Sequence, residues 1–323
     1  MTRMLAAAVL ALACALHCPA ILAQDFPNRV VRIVVPYPPG GPNDLLARIL
    51  AHGLTDRWSR QVIVDNRPGG AATIGVALVS RAAPDGYTLL IGSAGSMTIK
   101  ASIVPKLPYD ILKDFLPVAM VASGPFVMVV HPSVPAKDVA QFIALARKRP
   151  GELLFGSPGN GSGGHLSGEL LNLLGKIGMV HVPYKGGGPA MGDLVSGQIS
   201  VLFPDITTAE PYVKVGKLRL LGVTSAARSR MMPSIPTIEE GGVPGYEVST
   251  WYGLFAPAGT PREPVSRISS DVEVLMRTPA LAARLESLGA DATPLGPESF
   301  AEFVRKDFAK WTSVVKAANV KSE

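Results

Sequence analysis

Along residues 29–95 the apolar positions switch repeatedly between two periods. Residues 29–37, RVVRIVVPY, form a β-branched run that reads as a strand. In residues 44–54, DLLARILAHGL, Leu46, Ile49, Leu50 and Leu54 recur at helical spacing. QVIVDNR (61–67) is again strand-like, IGVALVSRAA (74–83) helix-like, and YTLLIGS (87–93) a strand that runs into small residues. Strands alternating with helices predict βαβ units and a mainly parallel sheet, an α/β fold. Ligands of such sheets lie beyond the carboxyl ends of the strands, which is where the loop PYPPGGPND (36–44) falls.

The same design returns further along. ELLFGSPGNGSGGHLSGELLNLLG (152–175) is a strand, a loop of small residues and a helix with Leu166, Leu170, Leu171 and Leu174 on one side. MVHVPYKGGGPAMGDLVSG (179–197) is a strand, three glycines and a helix with Pro189 in its first turn. Helix starts bared by glycine expose backbone N–H groups at the positive end of the dipole, so they bind anions without a charged side chain.

Two extended segments, SGPFVMVVHPSVP (123–135) and YEVSTWYGLFAPAGTP (246–261), flank the second set of loops. They predict one α/β domain inserted into another and joined to it by two strands, which together make a hinge. The first domain then comprises residues 24–125 and 250–323, the second residues 126–249. The C-terminal segment 298–318 completes the first domain as a helix with Phe300, Phe303, Phe308, Trp311 and Val315 near one face.

Composition adds a leader and removes several chemistries. Residues 1–23 read as a secretory signal: Arg3 gives a positive start, an apolar run too short to span a membrane follows, and ILA precedes Gln24. Both cysteines, Cys14 and Cys18, lie within it, so the remaining chain has neither a disulfide nor a thiolate metal site. Arg3 is the leader's only charge, so the formal charge of +6 becomes +5 once it is removed. The Lys and Arg residues are scattered, without the basic runs that nucleic acid requires, and the mild positive field favours small anions.

The ordered set PYPPGGPNDLLAR, VDNRPGGAATIG, PDGYTLL, PYDILKDFLPV, GSPGNGSGGHLSGEL, VPYKGGGPAMGDLVSGQI, GLFAPAGTP and ESFAEFVRKDFAKW resembles the extracytoplasmic solute receptors of tripartite tricarboxylate transporters, the Bug family. The resemblance covers essentially the whole chain after the leader. It implies a two-domain periplasmic binding protein of the second type, with two hinge strands, closing like a flytrap on a small organic carboxylate. It implies membrane transporter subunits as partners, a periplasmic location, no cofactor, no nucleic acid and a monomeric clamp. Carried over residue by residue, the ligand site comprises Tyr37, Pro39, Gly40, Gly41, Asn43, Asp44, Ser93 and Ala94 from the first domain. The second supplies Gly159, Asn160, Gly161, Ser162, His165, Tyr184, Lys185 and Asp205. Asn43 stands where Ser or Thr is common in the family, and Ala71 and Ala72 replace glycines of its second loop.

Each of these residues also has a plainer reading. Asp44 suits any helix start, His165 suits a cap or a core, Lys185 a strand end and Tyr184 a sheet face. The histidines share no metal-like spacing. Gly159, Gly161 and Gly164 satisfy G-x-G-x-x-G between a strand and a helix, but no acid ends the next strand, so a dinucleotide site is not expected. Ser93 and Ser157 lack the first glycine of a nucleophile elbow, and spacing pairs neither with a His–acid couple, so no enzyme is expected. A sensor that presents the bound carboxylate to a membrane partner fits the same residues as a transport receptor.

Overall fold

A computed structural model describes residues 26–286 and 289–320; the predicted signal segment lies outside them. Among the described residues, eleven strands fall into two sheets. The first holds β1 (Val31–Val35), β2 (Val62–Asn66), β3 (Thr88–Ser93), β4 (Phe115–Pro125), β10 (Ser249–Pro257) and β11 (Asp291–Leu295), in the order β11-β4-β10-β3-β1-β2. The second holds β5 (Val127–Val130), β6 (Leu154–Ser157), β7 (Val180–Pro183), β8 (Val201–Leu202) and β9 (Arg219–Val223), in the order β7-β6-β8-β5-β9.

The sheets are more mixed than the alternating pattern predicts. β1 pairs in parallel with β2 and β3, and β6 with β7 and β8, as βαβ units require. β10 runs antiparallel to both β3 and β4, and β5 antiparallel to β8 and β9. The reason is topological. A chain that leaves the first sheet through β4 and returns through β10 must run the opposite way on its return.

Helix α1 (Pro42–Trp58) shows how the sequence sets these elements. Pro42 occupies the first turn, where its missing N–H costs nothing. Leu46, Leu50 and Leu54 turn into a core with Val31, Ile33 and Val35 of β1. The helix ends at Ser59, whose left-handed φ of 51° breaks the repeat. Helix α2 (Thr73–Ser80) crosses from β2 to β3. Beyond β3 the chain makes a π-helical turn (Gly95–Ile99) and the short α3 (Lys100–Ile103). The second sheet carries α4 (Val139–Lys148), α5 (Gly163–Gly175), α6 (Gly187–Val195) and α7 (Ile206–Lys214).

After β10 come α8 (Arg262–Met276), α9 (Pro279–Glu286) and, beyond β11, α10 (Pro297–Ala317). Phe300, Val304 and Trp311 of α10 are fully buried, each burial contributing about 1.5–3 kcal/mol. Trp251 of β10 packs edge-on against Phe300 with centroids 5.6 Å apart. Its indole N–H donates to Asp307 at 2.9 Å, and the hydroxyl of Thr98 donates to the same carboxylate at 2.6 Å. These bonds tie the C-terminal helix to the first sheet beside the π-helical turn.

The chain passes between the sheets at Phe126 and at Val248. Thr224, fully buried, fastens the two crossings together. Its hydroxyl accepts from the N–H of Phe126 at 2.8 Å and lies 2.6 Å from the carbonyl of Val248, to which it donates. Its own N–H donates to the carbonyl of Phe126, and its carbonyl accepts from Val248.

Candidate functional site

Between the sheets lies a cavity of about 420 Å³. Three helical starts reach its wall: Gly41, Pro42 and Asn43 open α1, Gly95 opens the π-helical turn, and Gly163 opens α5. Helix geometry leaves the N–H groups of Asn43, Gly95, Gly163 and Gly164 without intrahelical acceptors. Among the described residues lining the cavity, no side chain is charged; Tyr37, Ile99, Phe126, Val248 and Tyr252 supply apolar wall, and Asn43, Ser93, Ser249 and Thr250 supply polar atoms.

The glycines make these approaches possible. Gly40 has a φ of +91°, a left-handed conformation that L side chains rarely adopt. A Cβ on Gly163 would stand 2.4 Å from the Phe126 ring, so only glycine lets the start of α5 reach that crossing. A Cβ on Gly161 would stand 2.6 Å from Ile103, which brings the second loop against α3 across the cleft.

The residues expected from sequence divide into four groups. Tyr37, Pro39, Gly41, Asn43, Ser93 and Ala94 line the cavity. Gly40 and Asp44 support it from behind. Asp44 is 2 % exposed and its carboxylate accepts from the Gly40 N–H at 2.9 Å, Asn66 Nδ2 at 2.9 Å and Arg48 Nε at 3.0 Å. Burial pushes this carboxyl up, but the bonds from Arg48, Gly40 and Asn66 outweigh it and hold it below the ordinary range. The N–H of Gly40 is therefore occupied by Asp44, and the carboxylate turns into its own lobe.

In the second loop the polar groups also bond to one another. The N–H of Gly159 donates to Ser157 Oγ at 3.2 Å, that of Gly161 to His165 Nδ1 at 3.0 Å, and that of Ser162 to the Gly159 carbonyl. Ser162 Oγ caps α5 by accepting from the His165 N–H. The exposed Asn160 lies in the same turn. Consequently the free donors on this side belong to Gly163 and Gly164, just beyond the stretch 159–162. His165 is buried and stacks on His181 with centroids 3.7 Å apart, its Nε2 3.5 Å from Glu169. Since Nδ1 accepts from Gly161, the proton sits on Nε2, facing Glu169.

Tyr184, Lys185 and Asp205 do not line the cavity wall. The Tyr184 hydroxyl donates to Asp193 at 2.7 Å and braces α6, while Lys185 is exposed at the end of β7. Asp205 precedes α7 without capping it and bridges to the chain at Phe126. Its side chain reaches water, yet protein crowds it on most sides, and that crowding raises its carboxyl above the ordinary range. The nearby Tyr252 phenol is pushed up to about 12, chiefly by burial, with the Asp205 charge adding to it.

Sequence reasoning missed the cavity walls at Ile99, Phe126, Gly163, Val248, Ser249, Thr250, Tyr252 and Trp311. A signal was present for most of them: Phe126 and 248–252 sit in the two extended segments read as crossings, and Gly163 follows the predicted loop. It also missed that Ser157 and His181 meet, with Oγ and Nε2 2.7 Å apart. Twenty-four positions separate them along the chain, and only the parallel pairing of β6 with β7 brings them together. Ser157 Oγ is fully buried and bonded to the Gly159 carbonyl, so the pair braces the loop. Among the described residues no cluster could hold a metal ion, and no helix is long and apolar enough to cross a membrane.

Two sheets joined by two crossings, with a cavity of helix starts between them, define a two-domain binding protein. The chain matches the tripartite tricarboxylate transporter family receptor over residues 46–320, and it belongs to that family. It is 32% identical to Protein BugT of Bordetella pertussis over 322 residues, 99% of each chain. R. palustris Rpa4515, solved with adipate, is 35% identical with a TM-score of 0.74, over 92% of this chain and 99% of that one. MatC of Rhodopseudomonas palustris, solved with bound malate, is 33% identical with a TM-score of 0.70, over 90% and 100%. The fold is that of the periplasmic binding proteins, and receptors of this family bind solutes and are not enzymes.

Proposed function

We propose that this protein is a periplasmic receptor that captures a small organic carboxylate between its two lobes and delivers it to a tripartite tricarboxylate-type membrane transporter. The first lobe comprises residues 24–125 and 250–323, the second residues 126–249, and one chain supplies the whole site. The observation that carries this reading is the convergence of three helix starts on a cavity without a charged lining residue. Such a site suits an anion, because unsatisfied N–H groups and helix dipoles supply positive potential where no Lys or Arg does. Each charge-assisted bond contributes about 1.5–3 kcal/mol. The adipate and malate held by two related structures support a carboxylate as the anion. Binding draws the lobes together only to the extent that the ligand prefers the closed form.

Gly41 tests the reading. Its backbone is extended, at φ −81°, and a Cβ there meets nothing within 4 Å, so Gly41→Val fits without a clash and lowers the empty protein's melting temperature only by the small cost of a poorer N-cap residue. The added methyl groups enter the cavity beside the α1 start. Calorimetric titration with carboxylates is expected to show a loss of roughly tenfold or more in affinity, since one ligand hydrogen bond is worth about that factor. Undiminished affinity for every acid that the unaltered protein binds would refute the placement of the carboxylate.

A further inference from the structure

We infer that the preferred ligand is a carboxylate with a single charged end and an uncharged, apolar body, aromatic or branched aliphatic, and that Asp205 guards the site against a second carboxylate. The inference rests on the reading above, in which helix starts hold one carboxylate. It follows from what faces the rest of that ligand.

Beside and between the helix starts the cavity is walled mainly by the rings of Tyr37, Phe126 and Tyr252 and by the side chains of Ile99 and Val248, with Asn43, Ser93, Ser249 and Thr250 as its uncharged polar groups. The rings and aliphatic side chains are surfaces for hydrocarbon. A second carboxylate placed against them is stripped of water and meets no Lys, Arg or His among the lining residues, which is a large cost for an anion without a partner. Lys310, whose ammonium lies 4.8 Å from the ring of the lining Trp311, is already paired with Asp307 at 3.1 Å, and the charge left without such a partner has the wrong sign. Asp205 bridges to the backbone at Phe126 and acts electrostatically on Tyr252, both of which line the cavity. Among the described residues Asp205 takes part in no ion pair, so no fixed cation offsets its charge. Discrimination therefore comes from both directions, with apolar contact favouring a ring or branched chain and repulsion disfavouring a second negative group. A flat ring also fits walls that present aromatic faces.

Isothermal titration at about pH 7.5, with the protein stripped of carried-over ligand, separates the possibilities. Benzoate, phenylacetate and 4-methylpentanoate are compared with adipate, malate and citrate. The expected result is that the best single-charge acid binds at least roughly tenfold more tightly than any of the three multiply charged acids. Equal or tighter binding of adipate, malate or citrate overturns this inference and leaves the carboxylate reading standing. If none of the six binds, both fall.

Asp205→Asn supplies the second arm. Asp205 makes no side-chain cap on α7, so the change preserves the fold, which a melting curve verifies. Adipate affinity is expected to rise several-fold while affinity for the best single-charge acid stays within about twofold, the pattern of a removed repulsion. An unchanged ratio between the two acids removes Asp205 from the selectivity of the site.

Discussion

Asp44 illustrates how a residue can serve a site without touching its ligand. It sits in the first turn of α1, where the helix dipole favours an acid. Its three partners belong to different pieces of chain: Gly40 in the loop, Arg48 one turn on, and Asn66 at the end of β2. Asn66 in turn donates to the carbonyl of Tyr37, which lines the cavity. The carboxylate thus sets the loop that presents Gly41. Asp44→Ala leaves the Gly40 N–H without its acceptor and Asn66 with only the Tyr37 carbonyl, and is expected to lower stability by about 2–3 kcal/mol, measured by urea denaturation. The bond to Gly40 goes with it, so carboxylate affinity is expected to fall in the same variant. A variant that melts like the unaltered protein would show that the loop holds its shape without Asp44.

At the scale of elements, the strand β7 and the helix α5 bring two histidines together beneath the second loop. His181 is pushed down to about 4, first by burial, then by the neighbouring His165, with Glu169 pulling the other way. The folded protein therefore refuses a proton that the unfolded chain accepts below its ordinary value of 6.5. The sign follows directly. Stability is unaffected above about pH 6.5 and falls as pH drops from there to about 4, by up to about 3 kcal/mol. His181→Gln keeps a polar partner for Ser157 and is expected to flatten that part of the melting temperature against pH. An unchanged slope would assign the acid loss to other groups.

The histidine stack also marks where sequence reading stops. Glycine loops, apolar periods and the β-branched crossings are local signals, and they located α1, α5, β1 and both passages between sheets to within a few residues. Ser157 with His181, or Asp44 with Asn66, are decided by which strands lie side by side, and no local signal carries that. For the same reason the sequence could point to the loop 36–44 but not to the direction in which Asp44 turns. The wall at Trp311 reads as core because its apolar spacing is the same whether a helix faces packed protein or a cavity.

For the whole molecule, the proposed closure raises the question of what would fix its pivot. The two passages at Phe126 and Val248 are single stretches of chain, and both line the cavity, so the proposed pivot and the binding wall share residues. Thr224 holds them in register through its hydroxyl and its backbone. Thr224→Val keeps the volume and β-branching and removes only the hydroxyl, leaving the Phe126 N–H and the Val248 carbonyl each short of a partner. The expected loss is about 1–3 kcal/mol in urea denaturation, with an unchanged denaturant slope because the surface exposed on unfolding stays the same. Affinity for the carboxylate is expected to fall alongside stability, since the wall that receives the ligand body is no longer held in place. That combination differs from Gly41→Val, which costs chiefly affinity. If Thr224→Val loses stability but binds as before, the pivot tolerates play, and selection among ligands resides wholly in the walls and not in how the crossings are fastened.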